Sequence, residues 1–419
     1  MTERQWKRLD VIKRLKAGKL TVGEAAQILG LCERQVQRMR VAIEKRGRGA
    51  MVHGNAGRSP AHRVQEQVRR QVEHLMRTKY AGFNDQHFTE KLLAEGVTIS
   101  RPTVQRILRA AGIGAARKRR PPKHRRRRDR KPQAGLMLQW DGSRHDWLEG
   151  RGPMLCLMGA IDDATGEFLP GAHFVEQECA AGYLRVLHAI AREKGLPHSA
   201  YGDRHGSLTR NDSCWTLEEE LRGEQDLTQV GRALWELEIE RIDALSPQAK
   251  GRIERLWGTL QDRLASELRL AGARTVAEAQ VVLERFRPEF NERFAIAATD
   301  ATPAWRPVRR RLDLDRVCAF RYEATVANDN AVRLGGVVID IPPGPGRRSY
   351  AKAKVELRQL LDGSWRVYKG DTLIATAAST SVGELRAQKQ RKRSVASRQF
   401  RRAVARLGTS KPRAVGRRG

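Results

Sequence analysis

A run of basic residues near the middle of the N-terminal half cannot itself form a compact fold. Residues 117–131 (RKRRPPKHRRRRDRK) hold 11 Lys or Arg in 15 positions. Like-charge repulsion and the adjacent Pro121 and Pro122 prevent this stretch from packing into a core. The run therefore predicts a solvated linker over 114–133, which can also act as an arm that follows phosphates with an affinity that falls as salt rises.

The net charge is distributed unevenly along the 419 residues. Residues 1–132 carry +23, residues 133–250 carry −9 and residues 251–419 carry +18, which gives +32 in total. An excess of this size indicates a polyanionic partner. Two basic segments therefore flank an acidic centre. A chain with evenly distributed basic residues would not show this difference in charge between segments.

Several classes of protein are excluded by composition. Hydrophobic residues make up 40% of the chain, which is enough for packed cores. No apolar run approaches the roughly 18–20 residues of a membrane span, and the N-terminus lacks the apolar segment of a secretory signal. Five scattered cysteines without a C-x-x-C pair indicate neither a disulfide framework nor a zinc finger. The composition predicts a cytoplasmic protein with reduced cysteines, a nucleic-acid partner and no membrane partner.

Residues 1–48 have the pattern of a helix-turn-helix DNA-binding domain. Thr21 can cap a short helix that ends at Gly30, and a second helix follows from Cys32. The polar side of this second helix would enter a DNA groove through Arg34, Gln35 and Arg38. The alternative is a plain helical bundle with a solvated basic face.

A second all-α unit is predicted over 60–113, either another helix-turn-helix or a winged helix. Ser100-Arg101-Pro102 opens its last helix with a cap and an early proline. The candidate DNA-binding side chains are Arg101, Gln105 and Arg106. The alternative is that these helices only pack together and do not bind DNA. If both units bind DNA, the tandem pair would contact a longer DNA site than one unit.

The acidic centre has the pattern of a mixed α/β sheet. Period-2 alternation predicts a strand that ends at Asp141, and a later short strand ends at Asp203. A long helix opens at Ser246-Pro247 and runs to about Leu270, with Glu254 beside its apolar stripe. Two strand ends and a facing helix can bring these three carboxylates to one point.

Three converging carboxylates repel one another unless a cation lies among them. Oxygen-only ligation suits Mg²⁺ or Mn²⁺, and a pair of such ions can stabilise both oxygens in phosphoryl transfer. Each residue also has a structural alternative: Asp141 and Asp203 could cap turns, and Glu254 could pair with Lys250. Asp162 and Asp163, in D-D-A-T-G, are predicted to be structural turn residues.

Four motifs resemble the integrase core of DDE transposases, and the similarity is strongest to insertion-sequence transposases of the ISNCY type. They are Q-W-D-G (139–142), A-I-D-D-A-T-G (160–166), Y-G-D-R-H-G (201–206) and S-P-Q-A-K-G-R-I-E-R-L-W-G-T-L-Q-D-R-L (246–264). With the helical front, the resemblance spans roughly residues 5–310. It implies a ribonuclease-H-like catalytic core over 134–300.

The resemblance also assigns roles to residues. Asp141, Asp203 and Glu254 would be the catalytic and metal-binding triad, and Gln248 and Lys250 would contact DNA. One departure stands out: 50 residues separate Asp203 from Glu254, more than retroviral integrases leave. A loop insertion within 207–225 is therefore expected, and such loops grow at small entropic cost.

The C-terminal arm is predicted to hold a small β-barrel over 315–378, followed by a basic tail over 379–419. Short alternating segments separated by Gly, Pro and Asn turns are typical of such barrels. A basic, aromatic surface that contacts DNA could be formed by Trp365, Arg366, Tyr368 and Lys369. Alternatively, Trp365 could be part of the hydrophobic core.

The complete prediction is a multidomain DNA transposase: tandem helix-turn-helix units, a ribonuclease-H-like core and a barrel. It would bind the inverted repeats of an insertion sequence as double-stranded DNA, cleave them with Mg²⁺ or Mn²⁺, and join the 3′-OH to target DNA as a dimer or larger assembly. The alternatives are a catalytically inactive repressor of a mobile element and a metal-dependent nuclease that does not join.

Overall fold

The structure is a computed structural model that describes residues 2–53, 55–57, 63–115, 128–210, 215, 217–244 and 250–385. Most of the basic run, Gln248 and the tail from 386 onward lie outside these ranges. The chain divides into two compact units, Met1–Gln71 and Val72–Gly419. The boundary falls inside the domain predicted over 60–113, so that domain stays a prediction.

The first unit consists of short helices around a small apolar core. Its helices are α1 (Glu3–Lys16), α2 (Val22–Leu29) and α3 (Glu33–Arg46). Thr21 caps α2 in a capping box with Glu24, and Gly30 ends α2 at a φ of +64°. The predicted cap and turn are therefore confirmed. Val36 of α3 is fully buried in the core that the three helices share.

Helix α4 (Glu66–Thr78) leads from the first unit into the second. Helices α5 (Asp85–Ala94) and α6 (Arg101–Ala110) follow, with Pro102 in the first turn of α6. The Ser100 side chain does not cap the backbone of α6; it lies 3.0 Å from the Thr103 hydroxyl instead.

A five-stranded mixed sheet forms the centre of the second unit. Its strands and helices are β1 (Met137–His145), β2 (Leu155–Asp162), β3 (His173–Val175), α7 (Ala180–Glu193), β4 (Ser199–Gly202), α8 (Leu217–Arg222), α9 (Gln229–Glu236) and β5 (Glu240–Asp243). The strand order is β3-β2-β1-β4-β5. The first three strands are antiparallel, and β4 runs parallel to both β1 and β5. The predicted mixed α/β architecture is confirmed.

Two long helices cover one face of this sheet. They are α10 (Gly251–Leu270) and α11 (Val276–Phe294). The predicted apolar stripe of α10 is buried in one core with side chains from β2 and α11, and comprises Ile253, Leu256, Trp257, Leu260 and Leu264. The periodicity of the sequence therefore predicted the buried face and the end of this helix correctly. Its predicted beginning at Ser246-Pro247 lies outside the described residues.

The C-terminal part contains α12 (Leu314–Val317) and strands β6 (Phe320–Thr325), β7 (Ala331–Leu334), β8 (Val337–Asp340), β9 (Lys354–Gln359), β10 (Trp365–Lys369) and β11 (Thr372–Ala377). Four strands form a sheet in the order β11-β10-β9-β6, while β7 and β8 pair only with each other. Among the described residues the strands do not close into the predicted barrel, because β6 and β11 remain unpaired sheet edges. The spacing of turn residues in the sequence predicted where the strands lie, but it did not predict whether the sheet closes into a barrel.

The C-terminal sheet and the central sheet share one hydrophobic core. This core includes residues of α7 and α9 together with residues of β6, β9 and β10. Gln229 of α9 exchanges two hydrogen bonds with the backbone of Arg321, at 2.9 and 3.0 Å. The Arg232 guanidinium donates to the carbonyls of Val317 and Ala319. None of the described helices is long and apolar enough to cross a bilayer.

Candidate active site

Asp141 lies within a strand and not at its end. Strand β1 continues to His145 because residues 138–145 pair throughout with β2, so the predicted strand end at Asp141 is wrong. The parallel pairing of β1 with β4 covers only Met137–Gln139. Asp141 therefore lies just beyond the part of β1 that β4 covers, at an edge that other side chains can reach.

Asp203 follows β4 directly, as its sequence position predicts. Gln139 is the register partner of Tyr201, and two more residues along the same register place Asp203 opposite Asp141. The backbone N–H of His205 donates to Asp203 Oδ1 at 2.9 Å. Two adjacent parallel strands thus bring the two carboxylates together.

The ammonium group of Lys250 joins these two carboxylates. Its Nζ lies 2.8 Å from Asp141 Oδ1 and 3.0 Å from Asp203 Oδ2. Burial raises the pKa of Asp141 despite the nearby ammonium. Burial also acts to raise the pKa of Asp203, but hydrogen bonds from Lys250 and His205 outweigh it and lower that pKa. Burial acts to lower the pKa of Lys250, yet the two carboxylates raise it, so this side chain is held in its charged form.

Glu178 is a third carboxylate at this site, and the sequence interpretation did not single it out. Single oxygens of Asp141, Glu178 and Asp203 lie within 4.8 Å of one another. Gly142 leaves room for it, because a Cβ there would stand 2.7 Å from Glu178 Oε2. The position of Glu178 in the sequence, between β3 and α7, does not indicate this proximity to Asp141.

Glu178 belongs to a hydrogen-bonded group that reaches Asp203. Tyr183 donates its hydroxyl to Glu178 Oε1, and His205 Nδ1 lies 3.3 Å from the same oxygen. Burial raises the pKa of Glu178, and burial also raises the pKa of Tyr183 well above its ordinary value. His205 thus lies beside the carboxylates, as a supporting group would.

Glu254 is placed apart from the three carboxylates. It lies in the first turn of α10 with an exposed side chain, and among the described residues it does not join the group of Asp141, Glu178 and Asp203. It follows Lys250 by four residues, which is about one helical turn and a rise of roughly 6 Å. Because residues four apart lie near the same side of a helix, Glu254 and Lys250 share one side at the beginning of α10, and the Glu254 side chain is exposed.

The paired aspartates at the end of β2 are both fully buried. Asp162 accepts hydrogen bonds from the Thr165 and Ala164 backbone and from Gly135. These bonds are those of a turn-forming aspartate. Asp163 instead binds the side chain of Arg252 in the first turn of α10.

The candidate DNA-binding side chains differ in their placement. The exposed ones, on α3 and α6, are Arg34, Gln35, Arg38, Arg101, Gln105 and Arg106. Lys250 is buried against the carboxylates, and Gln248 lies outside the described residues. In the C-terminal sheet Trp365 and Tyr368 are buried, so the predicted aromatic DNA-contacting surface is wrong there and packing accounts for both rings.

The donor set fits a hard divalent cation. Asp141, Asp203 and Glu178 offer only oxygen atoms, which Mg²⁺ and Mn²⁺ prefer. The ammonium of Lys250 already makes close contact with two of these carboxylates, so the geometry accommodates a positive charge at this point.

Two curated proteins are similar to this chain in sequence. The transposase for insertion sequence IS1202 of Streptococcus pneumoniae is 31% identical over 398 residues, which cover 85% of this chain and 82% of that protein. This chain belongs to the insertion-sequence transposases. A protein named as transposase y4bF, from Sinorhizobium fredii, is 37% identical over 309 residues, which cover 74% of this transposase but 66% of that relative.

The solved structures that resemble the transposase do so only distantly. An intasome of simian T-cell lymphotropic virus, in complex with a PP2A regulatory subunit, has a TM-score of 0.30 at 14% identity and covers 74% of this chain and 100% of that one. The HTLV-2 integrase catalytic core domain in complex with magnesium has a TM-score of 0.27 at 14% identity, over 40% and 92% of the two chains. No protein-family model matches the sequence. Membership of the family therefore rests on the two sequence relatives.

Proposed function

We propose that this transposase cleaves the DNA ends of its insertion sequence and joins the resulting 3′-OH to target DNA, using a ribonuclease-H-like core. The observation that carries the proposal is the pairing of Asp141 and Asp203 on adjacent parallel strands around a single positive charge. Glu254 is proposed as the third catalytic acid because the motif S-P-Q-A-K-G-R-I-E (246–254) resembles the corresponding motif of DDE transposases.

The proposed catalytic residues act as oxygen donors. Asp141, Asp203 and Glu254 would hold Mg²⁺ or Mn²⁺, with Glu178 beside them. Bound in a pair, such ions supply charge that stabilises the attacking and leaving oxygens of phosphoryl transfer. With such ions bound, Lys250 would be released from the carboxylates and available to a DNA phosphate. The backbone N–H of His205 orients Asp203.

DNA binding is proposed for the exposed polar sides of α3 and α6. Their arginine and glutamine side chains are the types that contact base edges in the major groove. The net charge of +32 supplies the sequence-independent attraction to phosphates. Because two ends must be joined, the active form is proposed to be a homodimer or a larger assembly.

The test is a strand-transfer assay with labelled element-end DNA, Mg²⁺ or Mn²⁺, and the full chain beside Asp141→Asn. Joined product that disappears in the variant supports the proposal. Cleavage without joining would instead favour a nuclease. Tight binding of the ends with neither reaction would favour a repressor.

Glu254→Gln is expected to abolish cleavage while leaving end binding near normal. The loss should reach about 100-fold or more, as for other groups that stabilise transition-state charge. Cleavage and a gel-shift measurement on the same DNA provide the two readouts. Glu284→Gln, an exposed carboxylate on α11, is the matched control. Equal loss of binding and cleavage in Glu254→Gln would mean that Glu254 is structural.

Deletion of residues 1–47 is expected to reduce discrimination between element-end and random DNA. The deletion removes α1, α2 and α3 with their exposed arginines, and leaves the acidic site in the other compact unit intact. Competition binding with end and random duplexes measures the ratio of affinities. An unchanged ratio would show that end recognition resides elsewhere.

A further inference from the structure

Asp163 is a fully buried carboxylate that binds two arginines. Its Oδ1 accepts from Arg252 Nη1 at 2.8 Å and from Gln139 Nε2 at 2.8 Å, and it also pairs with Arg128. Its Oδ2 accepts the backbone N–H of Lys131 at 2.9 Å. Both oxygens are therefore engaged.

These partners come from three separate segments. Arg128 and Lys131 are the end of the basic run, Gln139 lies on β1, and Arg252 lies in the first turn of α10. Gln139 also accepts the backbone N–H of Ile253 through Oε1 at 3.3 Å. Asp163 and Gln139 together fasten the beginning of α10 to β1.

This connection has a direct relation to the proposed catalytic residues. Gln139 precedes Asp141 by two residues on β1, and Arg252 precedes Glu254 by two residues on α10. The segments that carry Asp141 and Glu254 are thus connected by the hydrogen bonds of the buried Asp163 carboxylate. Lys250 is the residue immediately before α10, two positions from Arg252.

Asp162 is equally buried but differs in its contacts. Its partners lie in its own turn and at Gly135. A buried charge must be paired to be tolerated, and Asp162 is satisfied locally. Asp163 is instead paired by arginines of α10 and of the basic run, so its contacts join separate parts of the fold.

We propose that Asp163 is a positioning residue that sets where Lys250 and Glu254 stand relative to Asp141 and Asp203. The inference rests on the proposed function, since it assigns Asp163 to the same reaction. Small displacements of reacting groups can cost about 100-fold in rate. The buried Asp163 contacts prevent such a displacement at the beginning of α10.

The experiment compares Asp163→Asn with Asp162→Asn in the full chain. Two properties are measured: amide hydrogen exchange over residues 251–256, and Mg²⁺-dependent cleavage of element-end DNA. For Asp163→Asn we expect amide exchange to be about tenfold faster or more. We expect cleavage to be about tenfold slower or more, while the affinity for element-end DNA stays within about twofold of wild type. Asp162→Asn should leave both near the wild-type values.

Wild-type exchange in Asp163→Asn, or equal effects in the two variants, would overturn the proposal. If wild-type protein does not cleave, the proposed function fails, and hydrogen exchange alone decides whether Asp163 holds α10. If Asp163→Asn does not fold, Arg252→Gln decides by the same two measurements, because it removes the hydrogen bonds from α10 to Asp163 and to the Arg128 carbonyl and leaves the Asp163 carboxylate in place.

Discussion

Lys250 controls the charge balance among the acidic residues. Three carboxylates with oxygens within 4.8 Å of one another would repel strongly without a cation, and the ammonium supplies that cation. A divalent ion and this ammonium would therefore compete for the same oxygens.

Lys250→Met is expected to destabilise the protein in the absence of metal and to increase its stabilisation by Mg²⁺ or Mn²⁺. The substitution leaves Asp141 and Asp203 facing each other without a counter-charge, at a cost of about 1–3 kcal/mol. Thermal unfolding with EDTA and with each metal measures both effects. Arg255→Met, an exposed cation on the same helix, is the control. A metal-induced shift equal to that of the wild type would contradict competition at this site.

At the residue scale the sequence predicted the site in part. Asp141 could be located because period-2 alternation identified β1, and Asp203 because it follows a short predicted strand, which is β4. Glu178 could not, since it follows a three-residue strand and its approach depends on the absence of a side chain at Gly142. Such proximity is a tertiary property that no local pattern contains.

Helix α10 is held at both ends by polar contacts. Gln139 and Asp163 fasten its first turn, and α5 contacts its second half. Arg263 forms two hydrogen bonds with Glu90, and Glu267 pairs with both His87 and Lys91. The helix that carries Glu254 therefore also carries the docking surface for α5.

Glu267→Gln is expected to lower stability at neutral pH and to have little effect in acid. Burial acts to raise the pKa of Glu267, but hydrogen bonds from His87 and Lys91 outweigh it and lower the pKa. A carboxyl with a lowered folded-state pKa contributes stability above its unfolded pKa and loses it as pH falls through the folded value. We expect a difference of about 1–3 kcal/mol near pH 7.

Urea unfolding of wild type and Glu267→Gln at several pH values measures this difference. The exposed Glu284→Gln variant should match the wild type throughout. A difference that persists unchanged below the folded pKa of Glu267 would show that the charge of this carboxylate is not what stabilises the contact.

At the element scale, prediction succeeded where periodicity was strong. Helix α10 shows an uninterrupted apolar stripe, and its buried side was identified from that stripe. The end of β1 was misjudged because residues beyond Asp141 continue to pair with β2 although Gly142 interrupts the apolar alternation. The barrel was misjudged because strand closure depends on pairing between distant segments, which turn spacing does not specify.

For the whole second unit, the central and C-terminal sheets form one apolar core. Residues of α7 and α9 pack in the same cluster as residues of the C-terminal strands. The domains predicted over 134–300 and 315–378 therefore share their interior, and neither covers its apolar surface alone.

A chain that ends at residue 310 is expected to aggregate or to lose cooperative unfolding, although it retains Asp141, Asp203 and Glu254. The truncation exposes apolar surface at roughly 25 cal/mol for each Å². Size-exclusion chromatography and thermal unfolding test this. A chain that ends at residue 385 is the control, and should unfold as the full chain does. Cooperative unfolding of the shorter chain would show that the central sheet is self-sufficient.

The common core also has a genetic consequence. Leu385 still packs against it, so correct folding needs codons far downstream of the one for Glu254. A nonsense or frameshift mutation in that interval would spare every proposed ligand and still silence the element. The mutational target for inactivation is therefore much larger than the active site, and decayed copies with intact acidic motifs are to be expected among its descendants.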